Sequence, residues 1–499
     1  MARTSTFVSL AIIAVASCAI RSTARASGPE GDRTSSSSGA PRASGGDGSG
    51  GSEDTEGGLE SEFSFGSYGR VQFDVDEKGN RGKNTNVVAH GPRILEGSYA
   101  ELDFRYTLRD SDGFGARVLF TLALQAPFAH FSGEFDGQPV AVRNLYAETW
   151  GFVPALEGLE LWAGSRMYRG DDVYLLDWWP LDELNTVGGG LVWRGGGWNV
   201  RAHVGVNRIE DGFQVQTIEV PAGGHGTREK RVLDRQRTIA SARVRRRLEF
   251  ADGLGLKAVA YAEYHALPSG ERVPDELIRD GAPVYREELT RGKLPAERGW
   301  TLGGQVGVDG FGRSGHANLF ARYSRGLAAW GEFGVPVDRA ADGTASRAEE
   351  WVGALSANWE SESFGLMAGG YLRRFTDGDR RRVDRDDFAE GVAVVRPLVF
   401  LTDHFHQGFE LSYQAHFPFG LEPETGRHGV PKVFQASVLE IVSLDRGSYS
   451  RPQIRLNYTL SLSNGAARRR YPEGDARRPE PIEHFIGLKA EWWFNSSRY

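Results

Sequence analysis

The stretch Ile486–Phe494, IGLKAEWWF, decides how the rest of the chain is read. Taken two residues at a time it separates into Gly487, Lys489, Glu491 and Trp493 on one parity and Ile486, Leu488, Ala490, Trp492 and Phe494 on the other. Successive side chains of a strand point to opposite faces, so one face is polar with a single Trp and the other is wholly apolar. The division recurs near the start, where Val71, Phe73 and Val75 alternate with Tyr68, Arg70, Gln72 and Asp74. It recurs again where Ala100, Leu102, Phe104, Tyr106 and Leu108 alternate with Tyr99, Glu101, Asp103, Arg105 and Thr107. Charges at this density cannot fill the core of a sandwich. A barrel with lipid outside and water inside accommodates both faces.

Composition agrees with that reading. The chain has 499 residues with 65 Gly and 11% aromatics, its mean hydropathy is −0.41, and nothing after its first residues is apolar enough for a spanning helix. That argues against a helical membrane protein and suits an outer-membrane barrel, in which a large sheet closes as one unit. A net charge of −7 and a pI near 6.0 argue against a nucleic-acid partner.

The N-terminus reads as an export signal over residues 1–26: Arg3, an apolar run from Phe7 to Ala16, and the small-residue site Ala24-Arg25-Ala26. The single cysteine, Cys18, follows Val15-Ala16-Ser17, a lipoprotein-like box, so cleavage after Ala26 and lipidation at Cys18 are both open, with ordinary cleavage expected. Neither route leaves an internal disulfide. Residues 27–62 are Ser/Gly-rich and acidic with almost nothing to bury, and read as a disordered tether.

Residues 63–494 read as one all-β transmembrane domain, followed by a short extension over 495–499. Further alternating segments are Ala116–Gln125, Gly158–Tyr168, Trp198–Asn207, Leu256–His265, Trp300–Asp309, Asn318–Gly326, Phe364–Phe375, Gly391–Leu401, Gly408–Phe417, Lys432–Ser443 and Gln453–Ser463. At about 45–50 residues per hairpin with its connections, a domain of this length makes an antiparallel barrel of ~18 strands, wide enough for an aqueous lumen.

The segment Leu161–Asp182, LWAGSRMYRGDDVYLLDWWPLD, starts as a strand and continues into a run dense in Asp and aromatic residues. Rings beside carboxylates suit a sugar: the axial hydrogens of a pyranose pack on a ring while its hydroxyls bond to charged groups. An interfacial aromatic girdle with solvated acids would look the same in composition. With this segment the chain resembles the maltoporin family of carbohydrate-selective outer-membrane porins. Other motifs agree in order: GSYGR (Gly66–Arg70), SYAEL (Ser98–Leu102), VRNLYAE (Val142–Glu148), SYSRPQIR (Ser448–Arg455) and AEWWF (Ala490–Phe494).

The resemblance implies a homotrimer of 18-stranded barrels in the bacterial outer membrane, in contact with lipid and lipopolysaccharide, with the third loop folded inward. It also implies a helical aromatic path for linear maltooligosaccharides, flanked by charged residues. Carried over by position, the path would include Tyr68, Tyr99, Tyr449 and Trp493, with Trp179 opposite it at the constriction. The polar tracks would include Arg70, Arg93, Glu101, Arg143, Asp172 and Asp177. Parity independently puts Tyr68, Arg70, Tyr99, Glu101 and Trp493 on lumen faces. Several positions depart from the family pattern. The arginine at the narrowest point aligns with Gly170, beside Arg169, and one phenylalanine of the path aligns with His316. WWPLD replaces a Tyr-rich run after Asp177, and the first-loop disulfide is missing. The aromatic donated by a neighbouring subunit could be Phe128 or Phe131.

Other features have plainer readings. Asp403-His404-Phe405-His406 reads as a turn and not a metal site, and Asp171-Asp172 lacks the spacing of a calcium loop. Arg245–Arg247, Arg380–Arg382 and Arg468–Arg470 read as solvated loop or strand-end charges, with lipopolysaccharide phosphates as the alternative. Trp162 and Trp492 read as outward membrane anchors. No nucleophile stands beside a base, so no catalytic group, cofactor or metal is expected. The leading function is facilitated sugar diffusion; a non-selective or anion-preferring porin is the alternative, and an outer-membrane hydrolase a more distant one.

Overall fold

The computed structural model describes residues 59–496 except 83–84, 126–139, 208–214, 222–226, 234–235, 251–252, 273–276, 280–281, 285–291, 330–343, 380–386 and 476. The export signal, Cys18, most of the tether, Phe128, Phe131 and Arg380–Arg382 lie outside the described residues.

Eighteen strands close into one antiparallel barrel. In chain order they are β1 (Glu60–Asp76), β2 (Tyr99–Arg109), β3 (Gly115–Gln125), β4 (Val140–Trp150), β5 (Leu159–Arg169) and β6 (Glu183–Gly195). Then come β7 (Trp198–Asn207), β8 (Arg237–Glu249), β9 (Gly255–Leu267), β10 (Glu297–Phe311), β11 (Gly315–Gly326) and β12 (Glu349–Glu360). The last six are β13 (Phe364–Thr376), β14 (Phe388–Phe400), β15 (Phe405–Pro418), β16 (Lys432–Ser443), β17 (Gln453–Ser463) and β18 (Ile482–Phe494). Each strand pairs with its neighbours in sequence, and β1 pairs with β18 to close the ring, setting Tyr68 opposite Trp493. Odd-numbered strands lead into long loops at one end, and even-numbered strands into short turns at the other. Small two-stranded pieces within the loops stand outside the barrel sheet.

The burial pattern is the reverse of a soluble protein's. On β13 the successive residues Leu372 and Arg373 are 74% and 2% exposed. Period-two alternation produces this, because the outward parity is mostly apolar and the inward parity mostly polar, with inward charges paired to one another. Arg373 Nε lies 3.0 Å from Glu350, Arg396 Nε donates to Glu410 at 2.6 Å, and Ser437 and Thr459 share a hydroxyl bond of 2.9 Å.

Four strands, β4, β6, β8 and β12, are not among the segments expected from alternation. Gly188-Gly189-Gly190 leaves β6 without side chains to alternate, and on β8 the outward Arg246 breaks the apolar face. Arg246 sits at the short-turn edge, where its guanidinium covers Trp198 at 5.0 Å. Arg245 and Arg247, on the other parity, point into the barrel and are not solvated loop charges; Arg247 pairs with Asp309 at 2.7 Å. Trp162 likewise faces inward and is 4% exposed, so it is no membrane anchor. It shares parity with Glu160 and Arg166, the signal that places it in the lumen.

Trp492 does lie on the outer face, where its ring crosses Gly69 and its Nε1 donates to Ser67 Oγ at 3.1 Å. A Cβ on Gly69 would come within 2.1 Å of the Trp492 ring, so the closing seam requires Gly there. Gly69→Ala should destabilise the barrel by about 1–3 kcal/mol through overpacking, read as a lower urea midpoint in detergent.

Candidate functional site

The lumen is narrowed from within by two loops. The third, residues 170–182, folds inward as expected. Its short 3₁₀ turn Tyr174–Leu176 is followed by Asp177 at φ 50°, a left-handed position that Asp tolerates better than most residues. The reversal lets Val173 N–H donate to Trp178 carbonyl at 2.7 Å. Val173, Tyr174, Leu175, Leu176, Trp178 and Leu181 then bury against Val352, Met367, Tyr371, Val392, Val394 and Val433 on the inner faces of β12–β14 and β16. The loop is also tied electrostatically on the far side. Asp171 meets Lys257 Nζ at 3.0 Å and Arg243 at 3.5 Å, and accepts from Gln305 Nε2 at 2.8 Å. Burial acts to raise the Asp171 carboxyl, but Lys257 and Arg243 outweigh it and hold the group well below the usual carboxylate range.

The first loop, between β1 and β2, also enters the barrel, which the sequence reading does not anticipate. Val87 and Val88 join the third loop's apolar cluster, and Ile94 packs on Leu398, Phe400, Leu439, Ile441 and Phe485. His90 stacks on Trp178 at 4.6 Å, and Arg455 holds the Ile94 carbonyl at 3.0 Å. Glu96 lies between Arg93, at 3.2 Å, and Lys489. Burial opposes its ionisation, but Arg93, Lys489 and Arg70 bring the Glu96 carboxyl down to about 2. The available signal was the apolar residues Val87, Val88, Ile94 and Leu95 in an otherwise polar connection.

Along the wall left between these loops, the candidate aromatics form a continuous line. Tyr99 and Tyr68 stand 6.1 Å apart, and Trp493 packs against that pair. Tyr174 of the third loop makes edge contacts with Trp493 at 6.3 Å and Tyr449 at 5.1 Å. His316 stacks on Tyr449 at 6.0 Å. The line descends from the long-loop end of β2 to the short-turn end of β11. Tyr174 was recognised only as part of an aromatic-rich run, and its place here depends on the inward loop.

Charged groups flank the line. Arg143 Nε donates to the Tyr99 hydroxyl at 3.1 Å and lies 3.6 Å from Glu101, to which Tyr99 also donates. Arg70 Nη1 donates to Tyr68 at 2.8 Å and faces Asp177 at 3.6 Å. Arg93 Nη2 donates to Tyr68 at 3.0 Å and to Glu491 at 2.9 Å; Tyr68 is fully covered there. Tyr449 and Trp493 are half-buried, with the Arg451 guanidinium over Trp493 at 4.2 Å. Burial and then the nearby Asp172 carboxylate push the Tyr449 hydroxyl well up. Trp179 stands toward β5, with Arg169 stacked on its ring at 3.8 Å and paired with Glu183 at 3.3 Å. Of the other basic runs, Arg469 pairs with Glu422 at 2.8 Å and Arg470 donates to the Val87 carbonyl at 2.6 Å.

A closed barrel with an apolar outside, a charged inside and a lumen narrowed by loops defines a pore-forming membrane protein. The LamB porin family model matches residues 63–494. The chain belongs to that family, the maltoporin family, and is a bacterial outer-membrane diffusion channel and not an enzyme. A comparison with curated proteins finds no match. Among solved structures, OccD3 (OpdP) of Pseudomonas aeruginosa is similar at 9% identity and TM-score 0.40, over 88% of this chain and 92% of that one. OmpT of Vibrio cholerae, in a trimer form, is similar at 12% identity and TM-score 0.37, over 87% of this chain and 99% of that one. At these scores neither assigns a substrate or an assembly to this chain.

Proposed function

We propose that this channel carries linear oligosaccharides, maltose and maltodextrins first, by facilitated diffusion. The observation that supports the reading is the unbroken line Tyr99–Tyr68–Trp493–Tyr174–Tyr449–His316, with Arg70, Arg143, Glu101 and Asp177 beside it. The partly open rings of Trp493, Tyr449 and His316 hold the apolar side of successive pyranoses, the buried Tyr68, Tyr99 and Tyr174 back them, and the flanking charges exchange hydrogen bonds with the hydroxyls. Transport down a gradient needs only weak sites in sequence, so no catalytic group takes part. By family resemblance the working form is a homotrimer embedded among lipid and lipopolysaccharide.

The test is single-channel conductance in a planar bilayer, titrated with maltose, longer maltodextrins and sucrose. Saturable block by one series supports the reading; large unblocked conductance favours a non-selective porin. Trp493→Ala or Tyr449→Ala should weaken maltodextrin block about fivefold, near 1 kcal/mol for each lost ring contact, with ion conductance kept. Unchanged affinity in both variants would remove the aromatic line from the transport path.

A further inference from the structure

The inner wall of β5–β8 carries a surplus of positive charge that the aromatic line does not use. Arg166, Arg194, Arg201, Arg237, Arg243, Arg245 and Arg247 share its lumen face with only Glu160 and Glu249. Arg201 and Arg243 are directly paired across β7 and β8, and like charges in opposed positions are unfavourable unless neutralised. Arg243 is neutralised by Asp171 at 3.5 Å and Asp182 at 3.7 Å. Arg201 forms no ion pair among the described residues: its Nε donates to Asn199 at 3.1 Å, and Asp182 acts on it only from beyond ion-pair distance.

A second cation, Arg166, stands in the adjoining ring cluster, whose Tyr168 stacks at 4.7 Å on His203, two residues from Arg201 on the same face of β7. The Arg166 guanidinium lies 4.5 Å from the Tyr146 ring, 5.2 Å from Trp162 and 5.3 Å from Tyr168. Glu148 meets Arg166 at 3.4 Å but is shared with Arg117 Nε at 2.8 Å. The same cluster contains two buried donors without a partner, Trp162 Nε1 and the Tyr168 hydroxyl, in side chains 4% and 5% exposed. Arg166 and Arg201 both remain partly open to the lumen.

We propose that Arg166 and Arg201 form an oxyanion subsite beside the third loop, and that it selects saccharides bearing a carboxylate, sulfate or phosphate group. This rests on the sugar-channel reading and narrows it. An oxyanion there supplies the ion-pair partner that Arg201 lacks among the described residues, and guanidinium groups offer planar paired donors that suit such a group. The aromatic line holds the sugar rings, and this wall holds their charged substituents.

The experiment compares trigalacturonate with maltotriose as blockers of single channels formed by the full-length protein, at low and high KCl. Trigalacturonate should block at about tenfold lower concentration, the scale of one charge-assisted hydrogen bond, and the advantage should shrink as salt rises. Arg201→Gln should abolish the advantage and Arg201→Lys retain most of it, with unit conductance checking that each barrel has formed. Equal block by the two sugars, or an advantage unchanged in Arg201→Gln, would overturn the subsite while leaving the sugar channel standing. If neither sugar blocks, the sugar reading falls and the subsite with it. Inorganic sulfate alone is the control for a free anion: block by sulfate as strong as by trigalacturonate would overturn the saccharide assignment.

Discussion

Glu491→Ala is expected to cost the barrel about 3–5 kcal/mol, the scale for removing one partner of a buried ion cluster. Glu491 is 1% exposed on β18 and serves five groups at once, the Tyr68 hydroxyl at 3.4 Å among them. It accepts from Arg93 at 2.9 Å, from Arg451 Nη2 at 2.8 Å and from Gln453 at 3.0 Å, and lies 3.8 Å from Lys489. Its loss leaves three cations crowded in the lumen wall, with Glu96 as the remaining acid beside Arg93 and Lys489. Because Arg93 belongs to the inward first loop, the change should also loosen that loop and raise unit conductance. Urea unfolding in detergent reads the first effect and bilayer recording the second. Glu491→Gln keeps the shape and part of the hydrogen bonding, so it should fall between wild type and Ala. A shift below 1 kcal/mol would mean that lumen water compensates these cations without the carboxylate.

Asp171→Ala should free the third loop on its β8–β10 side, at a cost of about 2 kcal/mol, discounted from a fully buried pair because the carboxylate is partly exposed. Lys257 and Arg243 would then face each other without their shared acid. The expected readout is a larger and noisier unit conductance. The same contacts set a pH dependence. A carboxyl held below its ordinary value stabilises the folded state fully above that value, about pH 4, and the contribution is lost only as pH falls through the depressed folded value. Conductance should therefore stay flat from pH 7 down to about pH 4. A rise already complete at pH 5 would show that some other tether holds the loop.

These two predictions stand on contacts of very different legibility. The lumen-facing positions of Tyr68, Arg70, Tyr99, Glu101 and Trp493 follow from parity, because the two-residue period is a local property of any strand. β6 and β8 were illegible for an equally local reason: glycine has no side chain to alternate, and an outward arginine at the membrane edge mimics a polar loop. Trp162 was misplaced because an aromatic ring suits either face, and only its parity with Glu160 and Arg166 shows that it serves an inward guanidinium.

The sequence by itself determined the barrel, the inversion of its faces and the lumen-facing parity of Tyr68, Tyr99 and Trp493, since each is set within a few residues of chain. Only the tertiary structure decided that the first loop runs inside, that Tyr174 bridges Trp493 and Tyr449, and that Arg201 makes no ion pair among the described residues while Arg243 makes two. Those outcomes join positions far apart in the chain, as Arg93 joins Glu491. Pairing at such distances follows from how the ring closes and how the inward loops fill it, and no local pattern encodes either.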